Sequence, residues 1–82
     1  MQQKTIQIIP VNTSLWAVYA DYQQEHGFSF YAERVIERAL LDNGNVVSHV
    51  LADGVTVIAE NHNNFQGIFH ERELEQFDNI TR

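Results

Sequence analysis

The chain has 82 residues, room for a single domain, and its 44% apolar and 11% aromatic content supports a small core rather than disorder. Eleven acidic residues against five basic ones give a formal charge of −6, which argues against nucleic acid and against anionic membrane surfaces as partners. Cysteine is absent, so disulfides and thiolate metal sites are excluded and the thin core must hold itself, or lean on a second subunit.

No apolar run approaches the roughly 20 residues that span a bilayer, and Met1 to Thr5 carry one lysine with no long apolar stretch behind it. The expected setting is the cytoplasm. Thr5 to Ile9 alternate, with Ile6 and Ile8 on one face, and the only proline, Pro10, ends this first strand because it lacks an N–H for the ladder. Asn12-Thr13-Ser14 is a turn cluster. In the second strand, Leu15 to Tyr22, Trp16, Val18, Ala20 and Tyr22 share one face, and Leu15, Ala17 and Tyr19 the other. Both faces are apolar, so the strand is expected at the sheet centre, covered on each side. A polar loop, Gln23 to Gly27, follows.

Residues 28–41 read two ways. Val35, Ile36, Ala39 and Leu40 have helical spacing behind a possible cap at Ser29. Phe28 and Phe30 alternate with polar neighbours, however, and the run ends directly in Asp42-Asn43-Gly44, a turn that joins antiparallel strands. The strand reading is adopted; a helix over 29–41, giving an α+β fold, is the alternative. Asn45 to Leu51 and Val55 to Ala59 flank a second turn, Ala52-Asp53-Gly54. Asp-Gly supplies the positive φ angles of a tight hairpin, because glycine has no Cβ to clash there. A polar cluster, Asn61 to Asn64, precedes a last strand, Phe65 to Phe69, in which Gly67 marks a bulge or a close backbone approach. Glu71 to Phe77 fit about two helical turns that turn Leu74 and Phe77 inward. The expectation is therefore a mainly β domain over residues 1–77, a small antiparallel meander or partly open barrel with a short C-terminal helix, and a loose tail at 78–82.

Four short strings, Trp16-Ala17-Val18-Tyr19-Ala20, Val35 to Leu40, Leu51-Ala52-Asp53-Gly54 and Asn64-Phe65-Gln66-Gly67, stand in this order. Together, over about residues 6–69, the chain resembles a group of small bacterial domains of unknown function. The resemblance implies a compact strand-rich fold and carries no activity.

Chemistry-bearing constellations are sparse. His26, His49, His62 and His70 lack the close spacing of a helical metal pair and form no HExxH arrangement. Ser48 and His49 are adjacent, so on a strand they point to opposite faces and form no catalytic pair. Glu33, Arg34, Glu37 and Arg38 read as a solvated charged face, or as the polar rim of an interface. No catalytic, cofactor-binding or metal-ligating residue is assigned, and no cofactor is expected. The aromatics weigh most: Trp16, Tyr19, Tyr22, Phe28, Phe30 and Tyr31 form the candidate interaction patch, since Trp and Tyr favour interfaces. The expected function is a non-catalytic interaction module that associates with itself or with another protein through strand edges and this patch. The alternative is a small ligand-binding protein or enzyme with an inter-subunit pocket, in which His49 or His62 is the polar group.

Overall fold

The structure, a computed structural model, describes residues 4–11, 14–23, 27–77 and 80–82, without the side chains of Gln23 and Phe28. The turn residues Asn12 and Thr13, the loop with His26, and Asp78 and Asn79 of the tail lie outside these. Six strands form one antiparallel sheet: β1 (Thr5–Pro10), β2 (Leu15–Gln23), β3 (Gly27–Leu41), β4 (Val46–Ala52), β5 (Val55–Ile58) and β6 (Phe65–His70). The fold is mainly β, as the strand reading expects. The helical alternative for 29–41 fails because β3 runs unbroken through it, with ladders to β1, β2 and β4. Intrinsic helical spacing is outweighed by tertiary pairing on both edges.

The 15-residue β3 organises everything else. β1 and β2 lie end to end along one of its edges, Thr5 to Pro10 against Leu41 to Glu37 and Trp16 to Gln23 against Arg34 to Gly27. β4 takes the other edge from Val35 to Leu40, β5 pairs outside β4, and β6 pairs outside β2. The register slips by one residue between Val35 and Glu37, leaving Ile36 as a bulge. A bulge bends its strand and sharpens the local twist, so the two halves of the sheet curl toward each other.

Both predicted turns do their work. Asp53 and Gly54 have φ of 52° and 80°, the pair of positive values that a two-residue type I′ hairpin requires. At the other corner the Leu41 N–H donates to the Asn45 carbonyl, 2.8 Å, and the Gly44 N–H to Leu41, 3.0 Å. Gly67 stands beside the slip between Val18 and Tyr19 in the β2–β6 ladder, and a Cβ on it would come within 3.1 Å of the Phe69 ring. It is both the bulge neighbour and the close approach that the sequence suggests.

Strand alternation gives the sheet two separate cores. On one face, Ala17, Tyr19, Val35, Val50 and Ala59 form a buried cluster that joins β2, β3, β4 and a 3₁₀ turn at Ala59–Asn61. On the other, Val18, Ala32 and Leu74 cluster with Trp16, Phe30, Phe69 and Phe77. The lid of this second core is a 3₁₀ helix, Glu71–Gln76, held by a capping box between His70 and Glu73. It is six residues, two turns at three per turn. Leu74 is fully buried and Phe77 packs beside it, the two residues expected to face inward.

Within the tail expected to be loose, the described residue Thr81 is tied to β3. The Ala32 N–H donates to the Thr81 carbonyl, 2.7 Å, and the Thr81 N–H donates to Phe30, 3.1 Å. Thr81 thus makes a one-residue parallel bridge with Tyr31 on the side of β3 away from β2. Unsatisfied edge backbone attracts a partner, and here the partner comes from the same chain. Among the described residues no helix is long and apolar enough to cross a membrane.

Leu74 is the only fully buried aliphatic residue supplied by the C-terminal lid. Leu74→Ala is expected to lower unfolding free energy by about 2–4 kcal/mol in urea titrations. Leu51→Ala, at a position 52% exposed, is expected to change it by less than about 0.5 kcal/mol.

Candidate functional site

The bend of the sheet leaves a cleft of about 710 Å³ on the first core's face, between the β2–β3 arm and the β5 arm. Its floor is aromatic. Tyr19 and Tyr31 face each other across the β2–β3 ladder, and their rings stack with centroids 5.0 Å apart and planes 20° from parallel. The His62 imidazole meets the Tyr19 ring edge-on at 4.9 Å, and Phe65 backs it at 6.1 Å. His62 is itself fixed, because its Nδ1 accepts the Asn64 N–H at 3.1 Å. That bond leaves Nε2 as the protonated nitrogen of the neutral ring. Thr56, Val57 and Ile58 of β5 form the opposite wall, with Asn61 at the turn.

The charge in the cleft belongs to Glu33. It lines the wall two residues after Tyr31 on the same strand face, opposite Ala17. The Tyr19 hydroxyl lies almost wholly out of water and is bonded to the Glu33 carboxylate, and Tyr31 and Glu60 stand close by. Burial first, and then the negative field and hydrogen bond of Glu33, hold the Tyr19 phenol far above its usual range. Burial and then Glu33 and Asp21 raise the Tyr31 phenol as well. Neither phenol is a base or nucleophile at neutral pH; both remain neutral hydroxyls. Among the described residues no lysine or arginine lines the cleft.

Glu60 plays a supporting part. Its Oε1 accepts the Ser48 N–H at 2.7 Å, which ties the 3₁₀ turn to β4. Ser48 is fully buried and its Oγ has no partner among the described protein atoms, so it lies out of reach of any substrate.

The candidate residues from the sequence are divided by the sheet. Tyr19 and Tyr31 share the cleft face. Trp16 and Phe30 lie on the opposite face, under the C-terminal lid. Tyr22 is 63% exposed at the far end of β2, and Phe28 stands opposite it in the ladder. Period-2 alternation separates Trp16 and Phe30 from Tyr19 and Tyr31, so no single patch joins them. The two histidines part in the same way. His62 lines the cleft, whereas His49 pairs across the β3–β4 ladder with Glu37, Nδ1 to Oε2 3.3 Å, on the outer face. Among the described residues no group of three or more His, Cys, Asp or Glu is close enough to hold a metal ion.

A different surface stands out. Of the large apolar residues exposed among the described ones, all but Tyr22 belong to the half built from β1, β4, β5 and the C-terminal part of β3: Ile6, Ile8, Ile36, Val46, Leu51, Val55 and Val57. The ladder registers put Ile8, Ala39 and Val47 side by side on the outer face, with Ile36 at the bulge and Leu51 further along β4. No family model, curated protein or solved structure matches the chain.

The Tyr19 phenol links this site to stability. Its pKa is raised in the folded state, so its contribution is complete below the ordinary tyrosine value of about 10 and is lost as pH climbs toward the folded value. Melting temperature is therefore expected to fall as pH rises above about 10. In spectrophotometric titration Tyr19 should ionise only as the chain unfolds. Reversible titration of all three tyrosines at their ordinary value, with the fold intact, would contradict the geometry.

Proposed function

We propose that this protein is a small, non-catalytic interaction module that pairs with a second copy of itself. The observation that carries this reading is the concentration of exposed apolar side chains on the β1–β3–β4–β5 half. These side chains lie on both faces of that half, Ile8 and Leu51 on the outer one and Val46, Val55 and Val57 on the face of Val50, and exposed apolar side chains gathered in one half of a small domain mark an interaction site. The opposite half spends its aromatic residues on two cores and a lid, and has little apolar surface left to offer.

Two features favour like pairing with like. β5 is the last strand of the sheet, four residues long, and its outer backbone has no strand beside it among the described residues. An edge of that kind pairs readily with its own copy about a two-fold axis, which extends one antiparallel sheet across both subunits. Apolar residues at the pairing point, Val55 and Val57, would be covered by the same contact. A net charge of −6 opposes association of like copies at long range, so affinity must come from apolar burial and backbone pairing. A cytoplasmic setting suits a chain without cysteine.

Sedimentation equilibrium over a concentration series is expected to give a mass above that of one chain. Introducing Val55→Glu and Val57→Glu together should weaken association at least about tenfold. The double variant's melting temperature at low concentration should stay close to the parent's. A parent that sediments as a single chain at every concentration would end this reading.

A further inference from the structure

The cleft combines features that a purely structural crevice has no need of. Its volume of about 710 Å³ falls in the range of small-molecule sites. The half-buried Tyr31 ring, stacked on the buried Tyr19, and an imidazole line one side, so Tyr31 supplies the ring and the neutral hydroxyl within reach of a guest. One carboxylate, Glu33, stands among them, and among the described residues no cationic side chain shares the lining to neutralise it. Glu33 keeps acceptor positions beyond the one used by the Tyr19 hydroxyl, since a carboxylate has about four. Of the remaining lining, Ala52, Thr56, Val57 and Ile58 are small or apolar and Asn61 adds a neutral amide.

Aromatic faces attract cations through their quadrupole, and a carboxylate at the rim completes the attraction while fixing orientation. An anion would meet Glu33 and the field of Glu60 and Asp21, with no positive group to receive it. An uncharged apolar guest would leave Glu33 desolvated and unpaired. We propose that the cleft between Tyr31, Glu33 and His62 is a binding site for a small organic cation of the alkylammonium class, seated on the tyrosine ring and paired with the Glu33 carboxylate. The cleft shares β5 with the proposed pairing edge, through Thr56, Val57 and Ile58, but its ligand-contacting residues Tyr31 and Glu33 stand on β3, so their variants test it separately from self-association.

The full chain, labelled with ¹⁵N, is titrated with choline and, in parallel, with 3,3-dimethylbutan-1-ol, which has the same shape without the charge. Choline should produce saturable amide shifts centred on Tyr31, Glu33 and His62. The neutral alcohol should bind at least about tenfold more weakly. Glu33→Gln should weaken choline binding by about tenfold, and Tyr31→Leu should do so without removing any charge. Glu37→Gln, on the outer face, should leave it unchanged. Should Glu33→Gln fail to fold, the comparison of choline with its isostere and the Tyr31 variant still decide. The proposal is overturned if potassium chloride reproduces the shifts, if the alcohol binds as well as choline, if the shifts gather elsewhere, or if Glu33→Gln folds and binds as before.

Discussion

The whole molecule hangs on the backbone pairing of one long strand. β3 offers two edges over fifteen residues, and every other strand reaches the sheet through it, directly or by one intermediary. An antiparallel ladder satisfies backbone donors and acceptors that would be costly to bury unpaired. Because β1 and β2 share one edge and β4 occupies only part of the other, the sheet is asymmetric. One half is three strands wide and roofed on both faces. The other is four strands wide and bare on its outer face. The slip at Ile36 sits where the two halves meet, and the bend it introduces brings Val50 and Ala59 against Ala17 and Tyr19.

That asymmetry explains how so small a chain has two cores and still leaves apolar surface outside. Ala17, Val18 and Tyr19 are consecutive and all buried, which alternation allows only when both sheet faces are covered. Covering the second face falls to the C-terminal segment, through Leu74 and Phe77. Among the described residues no segment covers the outer face of β1, β3 and β4. There Ala39 is buried between Ile8 and Val47 in the ladders, while Ile8 and Leu51 remain about half exposed. The cleft arises from the same bend, as the space between arms that curl toward each other without closing.

What could be read from the sequence was what local chemistry decides. Asp53-Gly54 and Asp42-Asn43-Gly44 announced their turns because positive φ angles restrict which residues can stand there. The apolar faces of Leu15 to Tyr22 announced a central strand. Residues 35–40 were ambiguous, since two apolar pairs spaced four apart suit a helix as well as a bulged strand, and the bulge itself breaks the period-2 signal. The grouping of the aromatics missed for a different reason. Six rings close in sequence look like one patch until a register assigns Tyr19 and Tyr31 to one side and Trp16 and Phe30 to the other. Glu33 has the parity of Tyr31 on a strand, and that places it in the cleft and not on the solvated charged face that its charged neighbours suggest. The position of Thr81 had no local signature, because a contact between residues fifty apart leaves no trace in spacing.

Thr81 also guards against a hazard. Along residues 27–34, the side of β3 away from β2 is met, among the described residues, only by this one bridging residue. Cleaving the chain just before it would bare a ribbon of main-chain donors and acceptors long enough to template a foreign strand, with Tyr22 exposed at the end of the neighbouring one. Thr81 thus works as a latch that keeps this stretch of β3 backbone from growing into a fibril.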